Sequence, residues 1–168
     1  RVNHSKRQWM VVEAMRYTKS AVKLVVAGKG DSPDDEKFLM ELIEKYSLQD
    51  KVTYLNRFIS EEEKVTLFEK ALAGIYVPFD EDSYGYVTLE GFQAGKAMIS
   101  CKDAGGTDVV VKDGETGYMT DSTPEAIAEA MDKMYLNKPK TIEMGLNGLP
   151  LLEKLGITWD NVIRRLTE

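Results

Sequence analysis

The stretch GIYVPFDEDSYGYVTLEGFQAGKAMISC, residues 74–101, holds a strand, a helix and a second strand in succession. The apolar run at 74–78 predicts the first strand, which ends in a proline because proline cannot continue a hydrogen-bonded ladder. We expect a helix over 86–94, closed by Gly95 as a C-terminal glycine cap. The apolar residues 97–101 predict the next strand. A strand–helix–strand succession of this kind is the unit from which parallel sheets are built.

The rest of the chain continues this alternation. Apolar runs bounded by turn residues predict three further strands, at 23–28, 52–55 and 118–119. Helical spacing and N-cap signals predict helices at 6–17, after Ser32, after Ser60 and after Thr123, with short helices beyond Lys138. The strands are short and not strictly alternating, which is typical of strands buried on both faces. We predict an α/β fold, a Rossmann-like doubly wound parallel sheet in three α/β/α layers, with residues 1–168 forming one domain.

Two of these helices carry more detailed expectations. Phe38, Leu42, Ile43 and Tyr46 recur at helical spacing and are expected to form one buried face of the helix after Ser32. Ser60 and Glu63 have the spacing of a capping box. In the helix that follows them, the expected inward-facing residues are Val65, Phe68 and Leu72.

Composition limits the classes of function. The chain of 168 residues is 43% hydrophobic and 30% charged, which is typical of an ordinary globular domain. Its formal charge of −6 disfavours nucleic acid as a partner. Cys101 is the lone cysteine, so no internal disulfide is expected and a cytoplasmic location is the default. No apolar run approaches the roughly 20 residues that span a bilayer.

The chain opens close to a helix rather than with a complete strand. A doubly wound sheet normally begins with a strand that delivers the chain to such a helix. We therefore expect the sequence to be a piece of a longer protein, cut inside or just after its first strand.

The loop at 80–85 is the best candidate site in the sequence. Ligands of open α/β sheets bind outside the carboxyl ends of the strands, and this loop follows a predicted strand. Gly85 allows close approach of the backbone, and the first amides of the next helix can hold a phosphate. Asp82 and Glu90 flank those amides and, as carboxylates, suit hydroxyl donors of a ribose or hexose. The alternative is a capped helix in which Asp82 stabilises the N-terminus and Glu90 is solvated.

Three other motifs are weaker indications of a binding site than the loop at 80–85. Asp80-Glu81-Asp82 matches an Asp-x-Asp metal-binding string, but so short a string in an acidic loop is usually chance, and no metal is expected. Gly28-Lys29-Gly30 is half of a dinucleotide fingerprint and favours a simple turn. His4 lies in a loop near the expected phosphate site, where a solvated histidine is favoured over a ligand contact.

Residues 81–95 resemble the signature segment of retaining GT-B glycosyltransferases of family four. The family pattern is Glu-x7-Glu, and Asp82 and Glu90 stand at its two acidic positions, with aspartate replacing the first glutamate. Five further segments resemble the family in the same order along the chain, namely RVNHSK (1–6), AGKGD (27–31), VTYLNRFIS (52–60), GGTDVVVKDGETGY (105–118) and WDNV (159–162). Together they are specific, although each alone is weak.

The resemblance implies the donor-binding, C-terminal half of a GT-B glycosyltransferase. Its expected partner is a nucleotide-diphosphate sugar, with no metal and no other cofactor. The implied catalytic residues are Arg1 and Lys6, which would neutralise the diphosphate, and Asp82, which would hold hydroxyls of the donor sugar. The implied donor-binding residues are Arg57 and Phe58 at the base, Ser83, Tyr84, Gly85, Tyr86 and Val87 near sugar and phosphate, and Glu90 at the ribose.

The resemblance also implies partners and products. A mannosyl donor, GDP-mannose, is favoured over UDP- or ADP-sugars, and the acceptor would be a glycan or lipid-linked molecule bound by an N-terminal domain outside this chain. Peripheral membrane contact through that domain is a further option, and polysaccharide biosynthesis is the implied context. The competing hypotheses are an NAD-binding Rossmann-like domain, which lacks a complete glycine fingerprint here, and a non-catalytic α/β module.

Overall fold

The computed structural model describes residues 1–81, 83–158, 161, 163, 164 and 167. Within these residues the strands are β1 (Leu24–Ala27), β2 (Val52–Leu55), β3 (Ala73–Ile75), β4 (Ala97–Cys101) and β5 (Gly117–Thr120). The α-helices are α1 (Gln8–Ala14), α2 (Pro33–Lys45), α3 (Glu61–Lys70), α4 (Tyr86–Gln93), α5 (Pro124–Leu136), α6 (Lys138–Leu146) and α7 (Gly148–Lys154). Two 3-10 turns, at His4–Lys6 and Gly106–Val109, complete the description.

All strand pairs are parallel among these described strands. β1 pairs with β2, and β4 lies between β3 and β5 in a three-stranded sheet. The start of the chain bonds to the segments that follow β1 and β3. Val2 donates its amide to the Lys29 carbonyl at 2.9 Å, and the Ser5 carbonyl accepts from the Phe79 amide at 2.9 Å. The predicted α/β class with parallel sheets flanked by helices is confirmed.

Strand β4 shows why three layers form. All five of its residues are buried, and its apolar residues alternate between two hydrophobic clusters. Ala97, Ile99 and Cys101 face the larger cluster, which includes residues of α1 and α5. Met98 faces a smaller cluster with Phe92 of α4 and Leu152 of α7. Helices therefore cover β4 on both faces, as the uninterrupted apolar sequence of this strand predicts.

Two expected helix faces are wrong in part. Val65 is 54% exposed, and no residue of α3 is fully buried, because this helix covers β3 only through partly buried side chains such as Phe68. In α2 the buried residues are Leu39 and Leu42, one helical turn apart, and Phe38 lies exposed beside them. Both differences arise from the rotation of a helix about its axis, which neighbouring elements determine.

Strand β3 is shorter than the predicted run at 74–78. Tyr76 still donates its amide to the Ile99 carbonyl at 2.9 Å, so the chain stays alongside β4 for one residue more. After Tyr76 the chain leaves β4, and the Phe79 amide donates to the Ser5 carbonyl near the start of the chain. The segment that follows leads to α4. Among the described residues, no helix is both long and apolar enough to cross a bilayer.

Candidate functional site

The beginning of α4 is built around a glycine. Gly85 is its N-cap residue, with φ of 71° and ψ of 122°, and its carbonyl accepts from the amides of Thr88 and Leu89 at 3.0 and 3.3 Å. The Tyr76 ring fills the space that a Cβ at Gly85 would occupy. The first amides of a helix have no acceptor within the helix, so those of Tyr86 and Val87 belong to its donor-rich, partly positive end. This start can hold an anion.

Lys6 lies beside that helix start. It ends the 3-10 turn at His4–Lys6, where the Asn3 side chain accepts from the Lys6 amide at 2.9 Å. The Lys6 ammonium donates to the Tyr76 hydroxyl at 2.9 Å and forms an ion pair with Glu81. Because the Tyr76 ring also lies against Gly85, the same tyrosine contacts both Lys6 and the start of α4. Tyr76 thus brings together Lys6 and Gly85, which the resemblance implies at the diphosphate and near the sugar and phosphate.

An ion pair holds the loop that carries Lys6. The next residue, Arg7, is left-handed at φ 54° and only 8% exposed, and its guanidinium donates two bonds of 2.9 Å to the Asp103 carboxylate. These bonds keep the pKa of Asp103 below its ordinary value. Asp103 lies just after β4, so the pair fixes the loop at the carboxyl end of the central strand.

The backbone of Glu81 is held as firmly. Its amide donates to the Ala104 carbonyl at 3.3 Å, and its carbonyl accepts from the Gly106 amide at 2.9 Å. Gly105, at φ 76°, passes so close to Glu81 that a Cβ would overlap the Glu81 backbone. Asp82, the next residue and the expected sugar contact, lies outside the described residues. Its role stays a prediction.

Glu90 forms an ion pair with a lysine of α3. It lies in the second turn of α4, 31% exposed, and accepts from the Lys64 ammonium at 2.7 Å. Lys64 also contacts Glu61 at 2.8 Å, and hydrogen bonds to Glu61 and then Glu90 raise the pKa of Lys64 above its ordinary value. Glu90 therefore has an ammonium partner from α3 in addition to its remaining exposure to solvent.

The expected base-binding residues lie at the end of β2. Arg57 donates to Glu63 of α3 at 2.7 Å, and its own amide donates to the Leu55 carbonyl at 2.8 Å. Phe58 follows, with 84% of its surface exposed. Glu63 and Lys64 are consecutive residues, and the first binds Arg57 while the second binds Glu90. The start of α3 thus brings the expected base and ribose contacts to one place.

The remaining candidates have varied surroundings. Arg1 is highly exposed, with its guanidinium 3.5 Å from Asp31. The Ser83 hydroxyl accepts from the Gly85 amide at 3.3 Å. Tyr84 is partly buried against the smaller cluster, whereas Tyr86 and Val87 are exposed.

His4 and the glycine turn behave as the simpler hypotheses expect. The exposed His4 ring stacks on Trp9 at 5.6 Å between centroids. Gly28 packs against the backbone of Arg1, so the turn at 28–30 holds the start of the chain rather than an open dinucleotide loop. In the described ranges no group of three or more histidine, cysteine or acidic side chains is arranged to hold a metal, and Asp82 of the Asp-x-Asp string is outside those ranges.

Sequence reasoning missed three residues of this site, which are Tyr76, Glu81 and Lys64. Tyr76 reads as part of a buried strand, and Glu81 as the neighbour of the motif acid. Lys64 belongs to a charged helix start that resembles ordinary capping sequence. A partial signal exists for Tyr76, because a tyrosine at the carboxyl end of a parallel strand carries its hydroxyl to the ligand-binding edge.

Known proteins match this chain over most of its length. The family described as "Glycosyl transferases group 1" matches residues 1–148. A curated relative, alpha-1,3/1,6-mannosyltransferase ALG2 of Dictyostelium discoideum, is 35% identical over 135 residues, which cover 77% of this chain and 31% of that protein. This chain spans about a third or less of the length of the curated relatives it matches.

Solved structures share the fold. Anabaena Alr3699/HepE in complex with UDP-glucose superimposes with a TM-score of 0.84 at 19% identity, over 100% of this chain and 47% of that one. The C-terminal domain of the glycosyl transferase group 1 protein LpcC from Francisella tularensis gives 0.75 at 19% identity, over 91% of this chain and 80% of that one. At these identities the likeness shows the fold alone.

Proposed function

Because this chain belongs to the glycosyl transferases group 1 family, we propose that it is the donor-binding domain of a retaining glycosyltransferase. It would hold a nucleotide-diphosphate sugar while the rest of the protein presents a glycan or lipid-linked acceptor. The observation that carries the proposal is the position of the Lys6 ammonium beside the glycine start of α4, with Tyr76 in contact with both.

This arrangement suits the charge that develops during glycosyl transfer. When the bond between the anomeric carbon and the diphosphate breaks, negative charge grows on the departing phosphate oxygens. An ammonium and helix-start amides that are already in place stabilise that charge without reorganising. Lys6 and the amides of Tyr86 and Val87 would supply these groups, with Arg1 as a second cation. No metal or other cofactor enters this proposal.

The rest of the donor would follow the surface from α4 towards β2. Glu90 would accept hydrogen bonds from the ribose hydroxyls, and the backbone at Arg57 and Phe58 would contact the base. These residues meet at the start of α3, which supports a continuous nucleotide site. Asp82 would hold the sugar hydroxyls at the other end.

We further propose mannose as the transferred sugar and GDP-mannose as the donor. The support is the mannosyltransferase name of the 35% identical relative. The solved neighbour with UDP-glucose is only 19% identical and carries no weight on this point. A cytoplasmic setting, polysaccharide biosynthesis and peripheral membrane contact outside this domain belong to the same proposal.

Two substitutions test the division of the site. Glu90→Gln keeps the size of the side chain but removes the charge, so it should weaken binding of both the nucleoside diphosphate and the sugar nucleotide. A lost charge-assisted hydrogen bond costs about 1.5–3 kcal/mol, or roughly 10- to 150-fold in affinity. Asp82→Asn should leave binding of the bare nucleoside diphosphate unchanged and reduce discrimination between sugar donors.

Calorimetric titration with GDP, UDP and their sugar derivatives measures both effects. Glu143→Gln is the matched control, because Glu143 forms an exposed ion pair with Lys140 on α6. Equal losses for the Asp82 and Glu90 variants with the bare nucleotide would show that Asp82 is assigned to the wrong part of the donor. Absence of binding to every nucleotide by the unmodified protein would contradict the proposed function itself.

A further inference from the structure

The carboxylate of Glu81 is already paired with the ammonium of Lys6, the cation of the proposed site. One of its carboxylate oxygens takes the Lys6 ammonium and the other takes the Tyr76 hydroxyl, while Lys6 also donates to Tyr76 at 2.9 Å. The three side chains form a closed ring of hydrogen bonds. Lys6 and Glu81 are about three-quarters buried, at 28% and 27% exposure, so solvent screens their ion pair only in part.

A phosphate on Lys6 would meet this carboxylate. An ammonium has three N–H donors, and two of those on Lys6 are in use. A phosphate oxygen on the third donor would lie within a few ångströms of Glu81, and two negative groups at that separation repel each other. The diphosphate and the Glu81 carboxylate therefore compete for one ammonium.

The structure also shows how Glu81 can give way. Its backbone is fixed by hydrogen bonds to Ala104 and Gly106, whereas among the described residues its carboxylate bonds to Lys6 and Tyr76. Rotation of that side chain would release the ammonium and the Tyr76 hydroxyl without moving the loop. Both groups are hydrogen-bond donors that suit phosphate oxygens.

We propose that Glu81 is an internal competitor for Lys6, which the diphosphate of the donor displaces on binding. This rests on the proposed function of the site. In the donor-free protein the Glu81 carboxylate takes the place of a phosphate oxygen and neutralises Lys6. Small anions then gain little from Lys6 alone, whereas a nucleoside diphosphate, which also engages the helix start and Glu90, can displace the carboxylate. Glu81 thereby lowers the affinity of every phosphate ligand that uses Lys6 by a similar factor, so that tight binding requires the further contacts of the helix start and Glu90.

The test is titration of the Glu81→Gln protein with UDP, GDP and inorganic pyrophosphate. Glutamine keeps the size and the hydrogen-bonding atoms of the side chain but removes its charge. We expect affinity for all phosphate ligands that bind to rise about fivefold, the upper range for a partly exposed ion pair. Affinity for uridine and guanosine, which carry no phosphate, should not change.

Two further variants separate charge from folding. Glu81→Asp keeps the competing charge and should show no such gain, and Glu129→Gln removes an exposed carboxylate paired with Lys133 on α5 and should bind as the unmodified protein does. Unchanged or weaker binding of UDP and GDP by Glu81→Gln would overturn the proposal while leaving the nucleotide site intact. If the unmodified protein binds neither nucleotide, the proposed function fails and this inference fails with it.

Discussion

Helices α3 and α4 both begin after the chain leaves a strand, yet their first turns differ in every respect. At α3 the Ser60 hydroxyl accepts from the Glu63 amide at 3.2 Å, and the first turn carries the three acids of 61–63. At α4 the N-cap is Gly85, which has no side chain to offer, and the first turn carries no acid. Serine caps and acids satisfy the positive end of a helix from within the chain.

The difference separates two uses of a helix terminus. The start of α3 is capped by its own Ser60 hydroxyl. Its charged side chains Glu63 and Lys64 pair with Arg57 and Glu90. The start of α4 lacks that internal satisfaction and lies next to Lys6 through Tyr76. Under the proposed function, the start of α4 is left uncapped for an anion, and its stability depends on neighbours such as Tyr76.

The largest effect on both stability and nucleotide binding is expected from a substitution at Gly85. Gly85→Ala forces alanine to adopt φ of 71° and ψ of 122°, and its Cβ overlaps the Tyr76 ring. Strained backbone and overpacking together should cost about 3 kcal/mol of unfolding free energy. Because the substitution also displaces Tyr76 from Lys6, binding of nucleoside diphosphate should be lost. Urea unfolding and calorimetry measure the two effects.

Gly114→Ala is the matched control for this substitution. Gly114 has φ of 73°, nearly that of Gly85, but a Cβ there would meet nothing within 4 Å. It should cost about 1 kcal/mol, for backbone strain alone, and leave nucleotide binding unchanged. Equal costs at the two glycines would show that Tyr76 does not constrain the start of α4.

A smaller effect is expected at the capped helices. Thr123 caps α5 by accepting from the Ala126 amide at 3.2 Å, and Thr123→Ala should lower the unfolding free energy by about 1 kcal/mol. Ser60→Ala should cost a similar amount at α3. Nucleotide affinity of Thr123→Ala should stay within twofold of the unmodified protein, as expected of a purely structural cap. A binding loss as large as that of Gly85→Ala would remove the distinction between the two kinds of start.

The smallest effect is a pH dependence at α3. The hydrogen bond from Arg57 lowers the pKa of Glu63, so this carboxylate stabilises the fold above the ordinary glutamate pKa and loses that contribution as pH falls through its lowered pKa. The difference in unfolding free energy between the unmodified protein and Glu63→Gln should therefore narrow between about pH 7 and about pH 3. Arg57→Met should remove the same pH-dependent increment, and a difference that is constant with pH would contradict this origin.

The sequence predicts the elements well where the signal is local. The strand at 52–55 and the strand at 97–101 have the predicted bounds, and α4 begins at Tyr86 as expected. Each is a short apolar run or helix bounded by proline, glycine or polar residues within a few positions. The adjacency of Lys6 and Gly85 follows instead from topology, because ligand-binding loops of parallel sheets lie at the carboxyl edge of the strands.

What the sequence does not predict are the partners of charged side chains. Glu81 is 75 residues from Lys6 and Lys64 is 26 residues from Glu90, so neither pair leaves a periodic trace in the chain. Each depends on how a helix is rotated about its axis and how a loop is folded, which many weak contacts determine together. The exposed Val65 on α3 has the same cause.

Three loops of the site are joined by backbone hydrogen bonds in addition to the Arg7–Asp103 and Lys6–Glu81 ion pairs. The Phe79 amide donates to Ser5, the Asp80 amide to Asp103 and the Gly106 amide to Glu81, each at 2.9 Å. Such bonds do not depend on side-chain identity. A side chain that neither pairs nor packs across these loops can therefore be exchanged while the backbone frame keeps its shape. Under the proposed function, such exchanges would alter the contacts to the donor without disturbing the scaffold that holds it.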